Sequence, residues 1–372
     1  MHIDELAPEI LLEIFEWAKA SPPFAVGGSA IIISISQVCR KWRDITCDST
    51  LLWDDVRLTS GSSQFKLEQL LARSSGSPLS ISIDYRATNA ALWYHRRMLE
   101  VIVVHRRRIR ALHVIAPLHI LSLLSREVFC LGADFPLLCR LHVTQEFLPS
   151  RKPDERTVDK VPCCRWTSSW HAPQLRSLSV SAITPTTCGI PGRLKELHVQ
   201  DSGYFVQSVA CASDGNLETA ISHFLNLEVL SITSSPLPSL ARCRPIDTQI
   251  VSLTLAHLRT ADIPPGTLAR FLFTLRMPSL RHLSLNSLSG YLWEELVGWL
   301  SNAALRSVAF ESLAPTAVDE QCLRALPSIS ELRLVDVDPQ PILCILASNP
   351  NICPALREID VGKTGTRIGR RR

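Results

Sequence analysis

Few residues in this sequence combine the type and the spacing that catalysis or metal binding requires. The densest candidate ligands are Cys163 and Cys164, which are adjacent in the chain and are followed by His171. Tetrahedral zinc sites use four ligands, with residues between paired cysteines, so this arrangement does not favour a metal site. Asp336 and Asp338 flank a single valine and stand before a proline, a pattern that favours a loop end over a metal site.

The motifs of the common enzyme classes are absent from the sequence. It contains no glycine-rich nucleotide-binding loop, no G-x-S-x-G elbow and no H-E-x-x-H helix. We therefore expect no enzyme, no cofactor and no bound metal. An enzyme whose site lies in a loop is the alternative that the residues leave open.

Basic residues offer another kind of chemistry, the binding of nucleic acid. The segment Arg86–Arg110 contains seven arginines and one acid, Glu100, with Trp93 and Tyr94 as candidate platforms for stacked bases. The same segment carries a helical apolar face formed by Leu92, Leu99, Ile102 and Val103. We interpret it as an amphipathic outer helix, since basic surface helices are common, and expect no nucleic-acid partner.

Composition and charge describe an ordinary folded protein. Of the 372 residues, 46% are hydrophobic and 20% are charged, and the formal net charge is +4. Residues 1–58 hold nine acids and five bases, so an acidic head precedes a mildly basic body. This bias is too weak to indicate nucleic acid by itself.

The cysteines and the first residues indicate a compartment. Twelve cysteines are scattered without a C-x-x-C pair, and the N-terminus lacks the basic and apolar regions of a secretory signal. We expect reduced cysteines and a location in the cytoplasm, the nucleus or both. The longest strongly aliphatic stretch, Ala30–Ile35, is far shorter than the ~20 residues of a membrane span, so no membrane association is expected.

The head is built around an unusually apolar helix. Pro8 suits the first helical position, and the only polar residues that follow as far as Trp17 are Glu9, Glu13 and Glu16, which form one stripe. The remaining circumference is apolar and consists of Ile10, Leu11, Leu12, Ile14, Phe15 and Trp17. Such a helix must be buried on two sides.

The rest of the head predicts a small helical unit. Residues 19–30 contain prolines and glycines typical of a loop. A second helix is predicted from an apolar stripe of Ile31, Ile35, Val38, Trp42 and Ile45. A short third helix, capped near Asp48, holds Leu51, Leu52 and Trp53. A three-helix unit of this size is marginal alone and needs a partner to cover its apolar surface.

Three blocks of the head, taken in order, resemble the F-box. They are Leu6–Phe15 (LAPEILLEIF), Val38–Ile45 (VCRKWRDI) and Leu51–Trp53 (LLW), and the resemblance covers roughly residues 3–58. Two departures are the additional Ala7 and the long loop at 19–30; both recur in the F-box proteins that fungi carry in expanded numbers, which the whole chain resembles.

The resemblance implies a partner. An F-box binds a Skp-type adaptor protein and, through it, a cullin–RING ubiquitin ligase. The residues at the positions that the family uses for this contact, or for the adjacent core, are Leu6, Pro8, Ile10, Leu11, Ile14, Phe15, Val38 and Trp42. Two alternatives stay open: a helical cap that packs onto the repeats described next, and an F-box-like scaffold that works outside any ligase.

The body repeats a short L-x-x-L-x-L pattern ten times. The units start at Ile109, Leu138, Leu175, Leu194, Leu227, Ile250, Leu280, Leu305, Ile329 and Leu356. Successive units are 19 to 37 residues apart, and most gaps fall near the 20–29 residues of a leucine-rich repeat. The asparagine that such repeats carry three residues beyond the last strand leucine is missing, and Ile183, Ser202, Ser235 and Leu288 stand there instead.

These patterns together predict an α+β, multidomain protein. We expect an F-box at 1–58, a linker at 59–78, a leucine-rich-repeat-like solenoid of short parallel strands at 79–361 with a mobile insertion at 146–171, and a basic disordered tail at 362–372. An ordinary α/β fold with a parallel sheet is the alternative for the body.

The same repeats predict where a target protein binds. The residue between the last two apolar positions of each unit points away from the core, towards the concave face of a solenoid. These residues are His113, His142, Ser179, His198, Ser231, Thr254, Ser284, Ala309, Arg333 and Asp360. We expect an unidentified target on this face, with the 146–171 insertion as the alternative site. The three histidines suggest binding that depends on pH near 6.5.

Overall fold

Helices and short parallel strands alternate along the chain in a computed structural model, which describes residues 3–20, 28–85, 92–129, 132–145, 171–181, 193–200, 226–233, 246–257, 267–287, 291–300, 303–313, 318–362 and 366–369. The chain divides into two compact units. Unit 1 comprises Met1–Ser177 and Cys188–Pro191, and unit 2 comprises Leu178–Thr187 and Gly192–Arg372.

Unit 1 begins with three α-helices, α1 (Pro8–Ala20), α2 (Gly28–Ser36) and α3 (Arg40–Asp48). Short 3-10 helices at Ile3–Glu5 and Thr50–Trp53 flank them. The helix predicted to start at Pro8 is confirmed, and the short third helix is the 3-10 turn at Thr50–Trp53.

The second predicted helix was wrong as a single element, because it is broken between α2 and α3. Cys39 adopts an extended conformation, with φ −153° and ψ 172°, and interrupts the helix. The two halves differ in character: α2 is almost entirely apolar, whereas α3 has the polar sequence RKWRDITCD. Because the helix is broken, Val38 does not continue the apolar stripe that contains Ile35. Its side chain is 62% exposed.

The body of unit 1 is a parallel sheet with helical returns. Its elements are β1 (Asp55–Thr59), α4 (Gln64–Arg73), β2 (Leu79–Asp84), α5 (Leu92–Val104), a 3-10 turn (Arg106–Arg108), β3 (Ile109–Ala116), α6 (Leu118–Glu127) and β4 (Arg140–Gln145). The strands lie in the order β1-β2-β3-β4. Buried and half-buried residues alternate along β2, as expected of strands with one face in a core.

Residues 59–78, which were expected to form a linker, contain a folded helix. Ser63 caps α4 by accepting a hydrogen bond from the Lys66 amide at 3.2 Å. Leu67, Leu70 and Leu71 of α4 are buried. The sheet therefore starts earlier than the repeat pattern indicated, and β1 follows the head without a separate linker.

Unit 2 repeats the same arrangement. Its strands are β6 (Glu196–Gln200), β7 (Val229–Thr233), β8 (Ile246–Asp247), β9 (Ser252–Ala256), β10 (Leu275–Arg276), β11 (His282–Asn286), β12 (Ser307–Glu311), β13 (Glu331–Val335), β14 (Glu358–Val361) and β15 (Thr366–Gly369). Its helices are α7 (Thr267–Thr274), α8 (Tyr291–Leu300), α9 (Glu320–Arg324) and α10 (Pro339–Ser348). Strand β5 (Ser177–Ser181) falls at the boundary between the units.

All ten L-x-x-L-x-L units form strands, so this prediction is confirmed. In unit 2 the order is β6-β7-β9-β11-β12-β13-β14-β15, and β8 pairs separately with β10. The pattern leucines of each strand are buried, as shown by Leu253, Leu283 and Leu332. Equivalent leucines align from strand to strand, for example Leu283 with Leu253 and Val308.

Left-handed residues end four strands of unit 2. His257, Ser287, Ser312 and Asp336 have φ values of 54°, 51°, 48° and 53°, and each directly follows a strand. Three of their amides donate to the next strand: His257 to Asn286 O (2.8 Å), Ser287 to Glu311 O (3.0 Å) and Ser312 to Val335 O (2.9 Å). These bonds pair the backbone amide of each left-handed residue with a carbonyl of the neighbouring strand.

The C-terminal segment differs from its prediction. β15 pairs antiparallel with β14, so four residues of the expected disordered tail belong to the sheet. Most of the predicted insertion, residues 146–170, lies outside the described residues. Within the described ranges, no helix is long and apolar enough to cross a membrane.

Candidate partner-binding surfaces

Helix α1 has two apolar faces, as its sequence predicted. On one face Leu11 and Phe15 are fully buried, with 0% and 1% of their surface exposed. On the other face Ile10, Ile14 and Trp17 follow at helical spacing and are 46%, 40% and 75% exposed. We call Ile10, Ile14 and Trp17 the outer stripe.

An aromatic contact and two lysine side chains fix the orientation of α1. The Phe15 and Trp42 rings lie 5.0 Å apart between centroids, tilted by 57°. Lys41 Nζ donates to the Leu6 carbonyl at 2.9 Å. At the other end of the helix, Lys19 forms an ion pair with Asp54. These contacts fix which side of α1 faces the core, and therefore which side remains open.

Trp53 anchors the head to the body of unit 1. Its side chain is fully buried, and its indole N–H donates to the Thr46 carbonyl at 2.7 Å. The guanidinium of Arg73, at the end of α4, lies 4.5 Å from the centre of its ring, which is a cation–π contact. The head and the first return helix therefore share one buried aromatic residue.

The eight residues predicted to contact an adaptor divide between core and surface. Leu11 and Phe15 are core, and Leu6 and Trp42 are partly buried. The exposed members are Pro8, Ile10, Ile14 and Val38. Buried side chains support the helix, whereas the exposed ones are available to a partner.

Sequence reasoning left out part of this surface. Trp17, Ile3 and Leu51 are also exposed large hydrophobic residues, at 75%, 46% and 53%. The i, i+4, i+7 spacing from Ile10 to Trp17 was a usable signal for Trp17. The exposure of Leu51 had no such signal, since it sits in a 3-10 turn beside the fully buried Leu52 and Trp53.

In unit 1, the two predicted target-binding residues, His113 and His142, belong to a row on the sheet face opposite the leucines. The row also contains Arg57 and Ser82, which were not predicted. Ser82, His113 and His142 are in register on β2, β3 and β4, and Arg57 continues the row on β1. The His113 and His142 rings meet edge to face with their centroids 4.3 Å apart. Thr144 Oγ1 lies 2.7 Å from His142 Nε2. The histidines are thus a packed pair.

Unit 2 has a row of its own at the equivalent strand positions. It runs through His198, Ser231, Thr254, Ser284, Ala309, Arg333 and Asp360. Most of these residues are half-buried, and Arg333 Nε lies 3.5 Å from Asp360 Oδ2. We call this face of the sheet in each unit the open face.

Two of the predicted target-binding residues, Ser179 and His198, do not have the predicted properties. Ser179 is not accessible, and the pKa of His198 is not the ordinary one. Ser179 is only 6% exposed, so it does not contribute to an accessible surface. Burial lowers the pKa of His198 from its ordinary value of 6.5, although nearby Glu196 raises it in part. The pKa of His198 therefore lies below the 6.5 at which pH-dependent binding was predicted.

The candidate metal ligands have other roles. His171 Nδ1 lies 3.4 Å from Asp134 Oδ1. Asp336 occupies a left-handed turn, and Asp338 caps α10 by accepting from the Gln340 amide at 3.0 Å. No group of three or more His, Cys, Asp or Glu side chains suited to a metal occurs in the part of the chain that the structure describes. Cys163 and Cys164 lie outside it.

The basic segment of unit 1 forms the expected outer helix. Met98, Leu99 and Ile102 of α5 are buried, whereas Arg96 and Arg97 are exposed. The side chains of Trp93 and Tyr94 lie outside the described residues. The arginines that follow α5 are considered separately below.

Comparison with known proteins identifies the head. The family described as F-box-like matches residues 3–59, which span α1, α2, α3, the Thr50–Trp53 turn and β1. No curated protein matches the chain. The chain therefore contains an F-box-like domain at residues 3–59.

Proposed function

We propose that this protein is a non-catalytic adaptor of a Skp–cullin–F-box ubiquitin ligase, active in the cytoplasm, the nucleus or both. In this proposal the F-box-like domain binds a Skp-type adaptor and, through it, a cullin. The parallel-strand body, which we infer to be leucine-rich-repeat-like, holds a target protein. The single observation that carries the proposal is the outer stripe of α1.

The outer stripe has the properties of a protein interface. Fully burying a large apolar side chain stabilises a complex by roughly 1.5–3 kcal/mol, and Trp17 alone offers three quarters of its surface. Aromatic and aliphatic anchors at the centre of an interface supply most of its binding energy. Six of the nine exposed large hydrophobic residues among the described residues belong to the head, which concentrates this surface there.

The decisive experiment reverses the polarity of the outer stripe without touching the core. Ile10→Glu with Ile14→Glu should abolish co-purification with a Skp-type adaptor, because two carboxylates cannot be buried unpaired in an apolar interface. Phe65→Glu is the matched control, since Phe65 is 69% exposed on α4, outside the matched domain. Leu11 is unsuitable for this test, because it is fully buried and its replacement by Asp would unfold the head.

The outcomes separate the proposal from its alternative. Retained binding by the folded double variant would contradict the adaptor role of the stripe. Recovery of a Skp-type adaptor without a cullin would instead favour a scaffold that acts outside a ligase.

We propose the open face of unit 2 as the target-binding surface. Ser231 and Ser284 lie two strands apart in one row, with only Thr254 between them, so small side chains leave room for a partner. Ser231→Arg with Ser284→Arg should block target capture, while Phe273→Arg on α7 should not, since Phe273 is exposed away from this row. If the double arginine variant still captures the target and deletion of residues 146–171 abolishes capture, the target binds the insertion instead.

A further inference from the structure

Five arginines gather where the strands of unit 1 begin. Arg106 and Arg107 lie in the turn before β3, Arg110 lies at the start of β3, Arg140 opens β4, and Arg176 precedes β5. Four of them are exposed and Arg106 is half-buried. We call these five residues the basic edge.

Backbone hydrogen bonds and strand register place three members of the basic edge, Arg110, Arg140 and Arg176, side by side. The Cys139 amide donates to the Arg110 carbonyl at 2.8 Å, and the Arg176 amide donates to the Cys139 carbonyl at 2.9 Å. Neighbouring strands are about 4.8 Å apart, so the Arg110 and Arg176 backbones are separated by roughly 10 Å. Arg140 directly follows Cys139 and is in register with Ala111.

The basic edge has little negative charge of its own. Asp134 is the acid beside it, with its carboxylate 4.0 Å from Arg107 Nε and 3.4 Å from His171 Nδ1. Within the described residues, Arg106, Arg110, Arg140 and Arg176 form no ion pair. One acid against five arginines leaves a strong local excess of positive charge.

Arg108, in the same turn, has a structural role and differs from the basic edge. Its guanidinium donates to the carbonyl of Ser77 at 3.0 Å, and also to the carbonyl of Ser74. Its hydrogen-bonding groups are therefore committed within the fold. The basic edge differs, because none of its guanidinium groups is tied down in this way among the residues described.

The composition of the undescribed segments of unit 1 is neutral or basic. Residues 146–170, which rejoin the fold at His171, contain four acids and five bases. Residues 21–27 and 86–91 contain no acid. None of these three undescribed segments carries a net negative charge.

We propose that the basic edge binds an extended acidic segment of a partner protein. Arginine pairs carboxylates through two parallel hydrogen bonds, and alternate side chains of an extended peptide recur about every 7 Å. The edge, roughly 10 Å across its backbone row, therefore matches two acidic side chains at alternate positions. The inference does not depend on the proposed adaptor role, because it concerns a different surface.

Nucleic acid fits this edge less well than an acidic peptide. Binding of single strands uses aromatic platforms beside the basic groups. The segments that carry the edge, residues 105–110, 134–140 and 171–177, contain no tryptophan or tyrosine, and their single phenylalanine, Phe135, is fully buried.

The test uses the full chain and a labelled twelve-residue peptide of alternating Glu and Ser, followed by fluorescence anisotropy at low salt. Arg140→Glu with Arg176→Glu should weaken binding by about tenfold or more, since each reversal removes an attraction and adds a repulsion. Arg306→Glu with Arg357→Glu is the matched control, because these exposed arginines directly precede β12 and β14 of unit 2, as Arg176 precedes β5. The control should bind as the unchanged protein does.

Three results would overturn the inference. One is equal binding of a peptide with Gln in place of every Glu, and another is an equal loss in the unit 2 control. The third is tighter binding of a single-stranded oligonucleotide of the same charge. Arg140→Gln with Arg176→Gln provides a milder variant whose fold is checked by circular dichroism, and it should show an intermediate loss.

Discussion

Ser287 donates its backbone N–H to the carbonyl of Glu311 at 3.0 Å while it holds a left-handed φ of 51°. The same geometry recurs at His257 and Ser312. A residue with a side chain pays roughly 1–2 kcal/mol for this conformation, whereas glycine adopts it freely. The strand ends of unit 2 therefore hold strain that substitution can relieve.

We expect Ser287→Gly to stabilise the protein by up to about 1 kcal/mol, because the left-handed penalty disappears. The same change at Ser284, in the middle of β11, should destabilise it by about 0.5–1 kcal/mol, because glycine there only adds freedom to the unfolded chain. Urea unfolding followed by tryptophan fluorescence measures both. A loss of stability in both variants would show that Ser287 is not strained.

Trp42 and Trp53 should respond differently to replacement by Phe. The buried Trp42 indole N–H has no hydrogen-bond partner among the described residues, whereas that of Trp53 donates to Thr46 O at 2.7 Å. Trp53→Phe leaves a buried carbonyl unpaired, so it should cost roughly 1–2 kcal/mol more than Trp42→Phe. Thermal unfolding of the two variants tests this difference, and equal costs would contradict it.

Unit 1 should lose stability as the pH falls below neutrality. Burial, with a contribution from nearby His119, lowers the pKa of His95 from its ordinary value of 6.5. The unfolded chain then binds the proton more tightly than the folded one. The stability from neutral His95 is therefore present above pH 6.5 and is lost as the pH falls towards the lowered folded value.

His95→Phe should flatten this pH dependence, which urea midpoints between pH 8 and pH 5 would record. Tyr85→Phe is the control, because the Tyr85 ring lies 4.4 Å from the His95 ring and the change removes no imidazole. An unaltered slope in His95→Phe would assign the effect to other groups.

Two glycines of unit 2 should respond oppositely to replacement by alanine. A Cβ at Gly362 would lie 2.9 Å from Val335 Cγ2, so Gly362→Ala should destabilise the protein by about 1–3 kcal/mol. Gly298, inside α8, has no atom within 4 Å of the new Cβ. Gly298→Ala should therefore stabilise by roughly 0.5–1 kcal/mol, through helix propensity. Urea unfolding measures the stability of both variants. A gain in stability in Gly362→Ala as well as in Gly298→Ala would contradict the crowding at Gly362.

Local periodicity determined much of the fold from the sequence alone. The last two apolar residues of each L-x-x-L-x-L unit are two positions apart. In a β-strand such residues lie on the same face, so both can be buried in one core. All ten strands followed from it. The doubly apolar α1 followed in the same way, since three glutamates leave most of a helix circumference without a polar residue.

Neither β1 nor α4 was predicted from the sequence, because neither element carries the L-x-x-L-x-L pattern. β1 lies inside the segment that resembles an F-box, and α4 carries only three buried leucines among polar residues. Burial of these leucines depends on the strands beside them, which are distant in sequence. A local pattern could not distinguish this helix from a linker.

The division of the head into core and surface was decided by tertiary structure. Ile10 and Leu11 are both aliphatic neighbours on one helix, yet Ile10 is 46% exposed and Leu11 is fully buried. The Phe15 ring on the inner face of α1 contacts the Trp42 ring of α3, a helix that begins only after the extended Cys39. Composition and spacing determined that α1 needed two covered faces, but only long-range packing decided which one the chain covers itself.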